Sequence, residues 1–413
     1  MTNDPGVESG YAWLRLAISV VLSTFGGISL WSVVVVLPAV QAEFAVDRAT
    51  ASLPYTLAMI GFALGGVAMG RMSDRLGIML PAMISAVALA LGYVAAANAA
   101  TLWQFALVHG VLIAIGGATY FGPIVADISH WFSRRRGIAV AIAASGNYLA
   151  GAIWPPLVQH FTQTVGWRQT YVAIGVVCAA TMIPLALTLR RGAPEQHPAA
   201  TRAAPAPASL GLSPATLQIA LAVAGFCCCV AMSMPQVHIV AYCGDLGYGV
   251  AHGAQMLALM LGLGIISRVG SGFVADRIGG LPTLLLGSIG QMLALLLYLG
   301  FSGLASLYAV SALFGLVQGG IVPSYAIVIR EYLPAREAGM RFGLVVMATL
   351  LGMAFGGWIS GAIFDLTGSY AAAFANGVVW NLLNAGIAVA LLLRRARGRL
   401  IPLRSATPVG ADR

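Results

Sequence analysis

The sequence predicts an all-α integral membrane fold, with twelve membrane-crossing helices in two six-helix halves. Three observations predict it. Of 413 residues, 59% are hydrophobic and only 8% charged, against about 25% charged in a soluble globular chain. Twelve apolar runs approach or exceed the ~20 residues that a membrane crossing needs. The second half of the chain also repeats landmarks of the first at a fixed offset.

In chain order the runs are 13–40, 51–72, 78–97, 102–128, 137–161, 169–189, 214–242, 251–274, 281–301, 304–329, 340–364 and 370–393. Most connections between them are very short. The exception is 190–213, RRGAPEQHPAATRAAPAPASLGLS. It is rich in Pro and Ala, has little to bury, and reads as a flexible linker. The expected layout is a bundle over 1–189, a linker over 190–213, a second bundle over 214–393 and a tail over 394–413. Residues 1–10 are polar and acidic with no basic stretch, so the first run reads as a retained span and not a signal peptide.

All 22 basic residues are Arg, and about 18 of them, from Arg71 to Arg413, fall in alternate loops and the tail. Only Arg48 and Arg168 fall in the other set of loops. The positive-inside rule then puts the Arg-bearing loops and both termini in the cytoplasm. The net charge of +9 is spread over short connections, which is no footprint for nucleic acid. Cys178, Cys227, Cys228, Cys229 and Cys243 lie in or at the ends of apolar runs and read as small buried residues.

The repeat is specific. Gly70-x-x-x-Asp74-Arg75-x-Gly77 recurs as Gly272-x-x-x-Asp276-Arg277-x-Gly279, an offset of 202 (70 to 272, 74 to 276). The same offset carries Ser133-Arg134-Arg135-Arg136-Gly137 onto Ala335-Arg336-Glu337-Ala338-Gly339, and Gly166 onto Gly368. Two six-span halves related as parallel repeats, with a site near the midplane between them, is an architecture of secondary transporters.

One charge breaks the pattern. Arg268 lies inside the eighth run, in LALMLGLGIISRVGSGFVADRIGG, about two turns before Asp276, and no acidic residue lies between Asp245 and Asp276. A guanidinium stays protonated in a protein, and an Arg at a membrane centre costs about 2.5–3.5 kcal/mol on insertion scales. Such a residue faces a bundle interior or a water-filled path. Its missing partner reads as an anion that comes and goes. The other reading is a structural Arg held by backbone carbonyls, or one that snorkels to the interface.

The Gly-x-x-x-Asp-Arg-x-Gly loops resemble the signature of the major facilitator superfamily between its second and third spans, and its repeat between the eighth and ninth. An Asp and an Arg at a helix end can hold neighbouring helices in one state and release them in the other. The resemblance therefore implies conformational roles for Gly70, Asp74, Arg75, Gly77, Gly272, Asp276, Arg277 and Gly279. Ile78-Met79 and Gly280-Leu281 stand where that family has basic residues.

Two further stretches narrow the resemblance to the monocarboxylate transporter and oxalate/formate exchanger branch. Glu8-Ser9-Gly10-Tyr11-Ala12-Trp13 is similar to the motif before that branch's first span, with Ser9 and Tyr11 departing from it. Trp131-Phe132-Ser133-Arg134-Arg135-Arg136-Gly137-Ile138-Ala139 is similar to the motif after its fourth span, with Ala143 and Gly146 keeping the small-residue pattern. Arg134, Arg135 and Arg136 read as an anchor for the fifth helix. Arg268 occupies the place of the branch's eighth-span Arg, which implies a carboxylate-binding role; a planar fork can take a carboxylate through two bonds. Gly264 stands where the animal members carry an Asp, and around Ser32 and Thr349 there is no basic residue. One fixed positive charge suits a monoanion such as lactate, pyruvate or formate.

Companions for Arg268 are sought among polar and aromatic residues at mid-span depth: Tyr120, Asn147 and Tyr148, Ser29 and Trp31, Tyr325, and His238 in the outer half of the seventh run. Tyr120 and Asn147 are preferred, because the fourth and fifth spans face the cavity in this superfamily. His109 reads as a satisfied core histidine. Trp154-Pro155-Pro156 is expected to interrupt the fifth helix.

The sequence carries no phosphate-binding loop, no metal-ligand cluster and no facing carboxylates, so no cofactor, metal, ATP or enzymatic chemistry is expected. The expected partners are a small carboxylate, a proton or counter-anion, and the lipid bilayer, with no nucleic acid and a monomeric carrier. His238 and Asp127 are candidate proton relays, or the acid crosses with its own proton. A monocarboxylate carrier, symporter or antiporter, in a bacterial plasma membrane is the leading expectation. Oxalate/formate-type exchange, drug or organic-cation efflux, and a sensor that kept the carrier fold are the competing ones.

Overall fold

The computed structural model describes residues 7–192, 210–334 and 337–400. Most of the linker, Ala335-Arg336 of the repeat and the tail after 400 lie outside the described residues. Twelve helices among the described residues are long and apolar enough to cross a membrane. They are Gly10–Phe44, Arg48–Leu76, Met79–Ala97, Leu102–Trp131, Arg136–Val165, Trp167–Arg190, Pro214–Asp245, Val250–Ile278, Gly280–Gly300, Leu304–Tyr332, Ala338–Thr367 and Tyr370–Ala396, called here the first to twelfth spans. Helix continues past the last of these to Leu400.

Helix starts follow local chemistry. Ser9, Thr101 and Ser213 accept hydrogen bonds from Ala12 N (3.3 Å), Gln104 N (3.3 Å) and Thr216 N (3.1 Å), satisfying donors that a helix start leaves free. The large apolar side chains at the bundle's outside, such as Phe273 (67% exposed) and Leu64 (61%), suit a lipid surround. Gly77 and Gly279, one offset apart, close the second and eighth spans with matching backbones, φ 76° and ψ 167° against φ 91° and ψ 168°. That positive φ is strained for any residue with a Cβ, which is why both copies of the loop place Gly there.

Besides the turn at Ser52 near the start of the second span, three spans are interrupted. The first breaks at Gly26-Gly27, the fourth around Thr119 to Phe121, and the tenth at Gly319-Gly320. The last two are repeat-related, since Gly117-Ala118 maps onto Gly319-Gly320 at the 202 offset. Irregular backbone is tolerated at membrane depth only where protein or a water-filled cavity satisfies it. At the first break, Trp154 Nε1 donates to Thr24 O at 2.7 Å.

The fifth span corrects an expectation. It runs helical from Arg136 to Val165 with Pro155 and Pro156 inside it, so the proline pair does not interrupt it. The residues four positions before them, Gly151 and Ala152, are small and pack against the eighth span at Leu261 and Gly262. Packing of this kind lets a membrane helix keep its course through proline.

The halves meet at two tight seams. At the fifth and eighth spans, a Cβ on Gly151 would stand 2.9 Å from Leu261 Cβ. At the second and eleventh spans, a Cβ on Gly357 would stand 3.0 Å from Tyr55 Cδ1, and one on Gly361 would stand 2.9 Å from Arg48 O. Thr56 Oγ1 also donates across this seam to Ala354 O at 3.1 Å. Small residues give van der Waals packing where lipid offers no hydrophobic drive.

Candidate substrate site

Arg268 projects from the eighth span toward the fifth. Its guanidinium carbon sits 4.6 Å from the centroid of the Tyr148 ring, a cation–π distance. Nη1 donates to Ala144 O in a long 3.4 Å bond, weak by ordinary criteria. Nε is buried and has no hydrogen-bond partner. Among the described residues no carboxylate pairs with this Arg. One face of the guanidinium is thus fixed by an aromatic ring, while the Nε edge keeps its donor for something else.

Tyr148 lies where a side chain at position 264 would otherwise stand. A Cβ built on Gly264 would lie 2.6 Å from Tyr148 Cδ1, so the Gly and the Tyr are matched. The tenth-span break backs the same part of the eighth span, with a Cβ on Gly319 falling 3.1 Å from Arg268 N.

The other expected companions spread over the bundle. Tyr120, 2% exposed, donates its hydroxyl to Ala82 O at 2.5 Å, and its ring lies against Gly26. A Cβ on Gly27 would lie 3.0 Å from Asn147 Oδ1, so Tyr120 and Asn147 flank the first-span break. Ser29 Oγ and Trp31 Nε1, beyond that break, are buried without hydrogen-bond partners, as are Ser19 Oγ and Ser23 Oγ before it. His238 Nε2 donates to Gly357 O at 2.8 Å, and its Nδ1 has no partner. Tyr325 donates to Asn384 Oδ1 at 2.9 Å, and Asn384 donates to Ser288 Oγ at 2.7 Å, deep in the second half. His109 has both ring nitrogens engaged, Nδ1 with Phe105 O at 2.9 Å and Nε2 with the Tyr171 hydroxyl at 3.1 Å.

Asp74, Arg75, Asp276 and Arg277 lie exposed in the last turns of the second and eighth spans, and among the described residues these four make no ion pair. Gly70 and Gly272 have open space where a Cβ would stand. Arg134, Arg135 and Arg136 are exposed on the same face. Glu8 Oε1 accepts from Arg135 N at 2.9 Å, and that bond holds the Glu8 carboxyl below its usual range. The stretch before the first span and the one after the fourth therefore dock on each other.

On the opposite face the halves are locked together. Asp365 accepts from Arg48 N (2.9 Å) and Ala49 N (2.7 Å). Arg48 Nη2 reaches both oxygens of Asp245 at 3.3 and 3.0 Å, and Nη1 donates to the Tyr370 hydroxyl at 2.5 Å. Its guanidinium lies 5.0 Å from the Phe364 ring centroid. Next to it, bonds from the Thr50 side chain and backbone hold the Asp47 carboxyl below its usual range. A second ion pair unforeseen from sequence joins Arg15, 1% exposed, to Asp127 through bonds of 2.8 and 3.0 Å. Arg15 Nη1 also donates to Tyr11 Oη and to Leu189 and Arg191 carbonyls, so Asp127 is already engaged.

Twelve spans in two repeat-related halves, with a charged residue between them and a lock on one face, define a membrane transporter. Residues 17–307 and 271–408 match the sequence model of the Major Facilitator Superfamily, and the chain belongs to that superfamily. It is 27% identical over 349 residues to monocarboxylate transporter 13 of Bos taurus, covering 81% of this chain and 79% of that one. It is 28% identical over 386 residues to monocarboxylate transporter 11 of Mus musculus, covering 89% and 84%. In fold it is similar to a crystal structure of the nucleoside transporter NupG, with TM-score 0.68, 15% identity and 92% and 99% coverage.

Proposed function

We propose that the protein is a secondary carrier of a small monocarboxylate that works by alternating access around Arg268. One contrast carries this reading. Arg15, Arg48, Arg168 and Arg341 each hold a carboxylate, at 2.8, 3.0, 2.6 and 2.6 Å. Arg268, placed between the halves, holds none; its Nε is buried without a partner, as is that of Arg48, so the missing carboxylate is what sets Arg268 apart. Arg268 is half-buried, and withdrawing a cation from water without a partner is costly; a carboxylate brought to it as the halves move would offset that cost. The relatives named as monocarboxylate transporters support the same class.

In this reading the Arg-bearing face is cytoplasmic, and the conformation described is closed outside and released inside. Tyr148 holds the guanidinium plane. The unpaired groups of the first span, Ser29 Oγ and Trp31 Nε1, are the polar companions exposed to the substrate as the halves move. Asn147 and Tyr120 shape the first-span break, His238 and Tyr325 support the second half, and the carrier acts as a monomer in a bacterial plasma membrane. Transport is proton-linked, with the proton carried apart from the carboxylate that Arg268 holds; Asp127 already serves Arg15, which leaves His238, whose Nδ1 has no partner, as the relay.

One observation favours a second coupling, anion exchange. With no carboxylate beside Arg268, the empty carrier must reorient a bare charge, whereas the loaded one reorients a neutral pair. Proton uptake into substrate-loaded vesicles separates the two couplings, because exchange moves acid without a pH change.

The test of the site is thermal stabilisation of purified protein by a panel of acids. A ligand at 100 times its Kd adds about 2.7 kcal/mol to the folded state. The expected result is that one or more of lactate, pyruvate and formate raises the melting temperature of the wild type, less so Arg268→Lys and not Arg268→Ala. Equal stabilisation of wild type and Arg268→Ala would overturn the reading.

A further inference from the structure

The lock on the outer face shows how this protein recognises a guanidinium. Asp245 takes Arg48 Nη2 at 3.0 Å, Tyr370 takes Nη1, and Phe364 lies under the guanidinium plane at 5.0 Å. All three recognition groups belong to the second half, whereas Arg48 belongs to the first. Alternating access requires the halves to part on this face, and Arg48 must then leave. A cavity of about 390 Å³ adjoins the same three residues, walled further by Tyr242, Tyr298 and Phe301. The Asp245 side chain remains 39% exposed with Arg48 in place.

We propose that Asp245, Tyr370 and Phe364 form an outer-face site for a small organic cation of the guanidinium class. Arg48 is its tethered occupant in the closed state, and a soluble ligand takes its place when the outer face opens. The aromatic walls suit a flat, partly apolar cation, because aromatic faces attract delocalised positive charge and a planar fork matches the carboxylate. Such a ligand holds the outer face open and inhibits transport without touching Arg268. This site is independent of the substrate reading, since it shares no residue with Arg268 and its surroundings.

The experiment measures binding of phenylguanidine to purified protein by calorimetry, with neutral phenylurea as control and no acid present. A tethered group competes at high effective concentration. Removing it with Arg48→Ala is therefore expected to tighten phenylguanidine binding about tenfold or more, and Arg48→Gln to act in the same direction. Adding Asp245→Asn to either variant abolishes binding, Arg268→Ala leaves it unchanged, and phenylurea does not bind. The proposal is overturned if the Arg48 variants bind no more tightly than wild type, or if binding survives Asp245→Asn. Arg48→Gln keeps the test alive should the alanine variant fail to fold.

Discussion

At position 264 the eighth span has no side chain, and the ring of Tyr148 from the fifth span fills the space. This pairing sets the plane of Arg268, whose guanidinium the same ring supports at 4.6 Å. Adding a side chain to a filled site costs about 1–3 kcal/mol. Gly264→Ala is therefore expected to destabilise the protein by about that much, and Tyr148→Ala to restore most of the loss in the double variant, as contacting residues couple. Denaturation of the four proteins in detergent checks it; equal effects of Gly264→Ala with and without Tyr148 would contradict it. Arg268 stood out in the sequence because it is a charge in an apolar run with no acid nearby. Tyr148 was one aromatic among several, and its contact with Gly264, 116 positions away (264 minus 148), has no local signature.

Among the elements, the second and eleventh spans carry the clearest mechanical consequence. Asp365 accepts two backbone bonds at the start of the second span, and hydrogen bonds to charged groups contribute about 1.5–3 kcal/mol each. Loss of even one such bond shifts a two-state population about tenfold or more. Spin labels at Ala45→Cys and Leu366→Cys would report this, because the five native cysteines are buried. Arg48→Ala and Asp365→Asn are expected to move the distance distribution outward, whereas Arg75→Ala on the opposite face does not. An unchanged distribution in both gate variants would show that the outer lock does not hold the closed state. Arg48 was visible as one of two Arg residues in the opposite set of loops, but its partners lie 197 and 317 positions away. The twelve spans were legible because each needs a long apolar run and little else. The helix breaks were less so, since Gly is common within membrane helices and only packing shows which Gly interrupts one. The proline pair misled for the complementary reason: Gly151 and Ala152 pack closely enough on the eighth span to carry the helix through.

Over the whole molecule, the repeat and the basic loops make the architecture legible in the sequence alone. The Gly-x-x-x-Asp-Arg-x-Gly copies needed the same positive φ at Gly77 and Gly279, which left a mark on the sequence. The asymmetry between the faces left none. The exposed helix ends at Asp74-Arg75 and Asp276-Arg277 are without ion pairs among the described residues, while the opposite face holds Arg48 between Asp245 and Tyr370. In the proposed reading this is a carrier held closed on one face and released on the other, with Arg268 between its halves. The most direct test of the account is counterflow of labelled lactate, pyruvate or formate into proteoliposomes preloaded with the same acid. Transient accumulation is expected with the wild type, a large loss with Arg268→Lys and none above empty liposomes with Arg268→Ala. Undiminished accumulation with Arg268→Ala would contradict it.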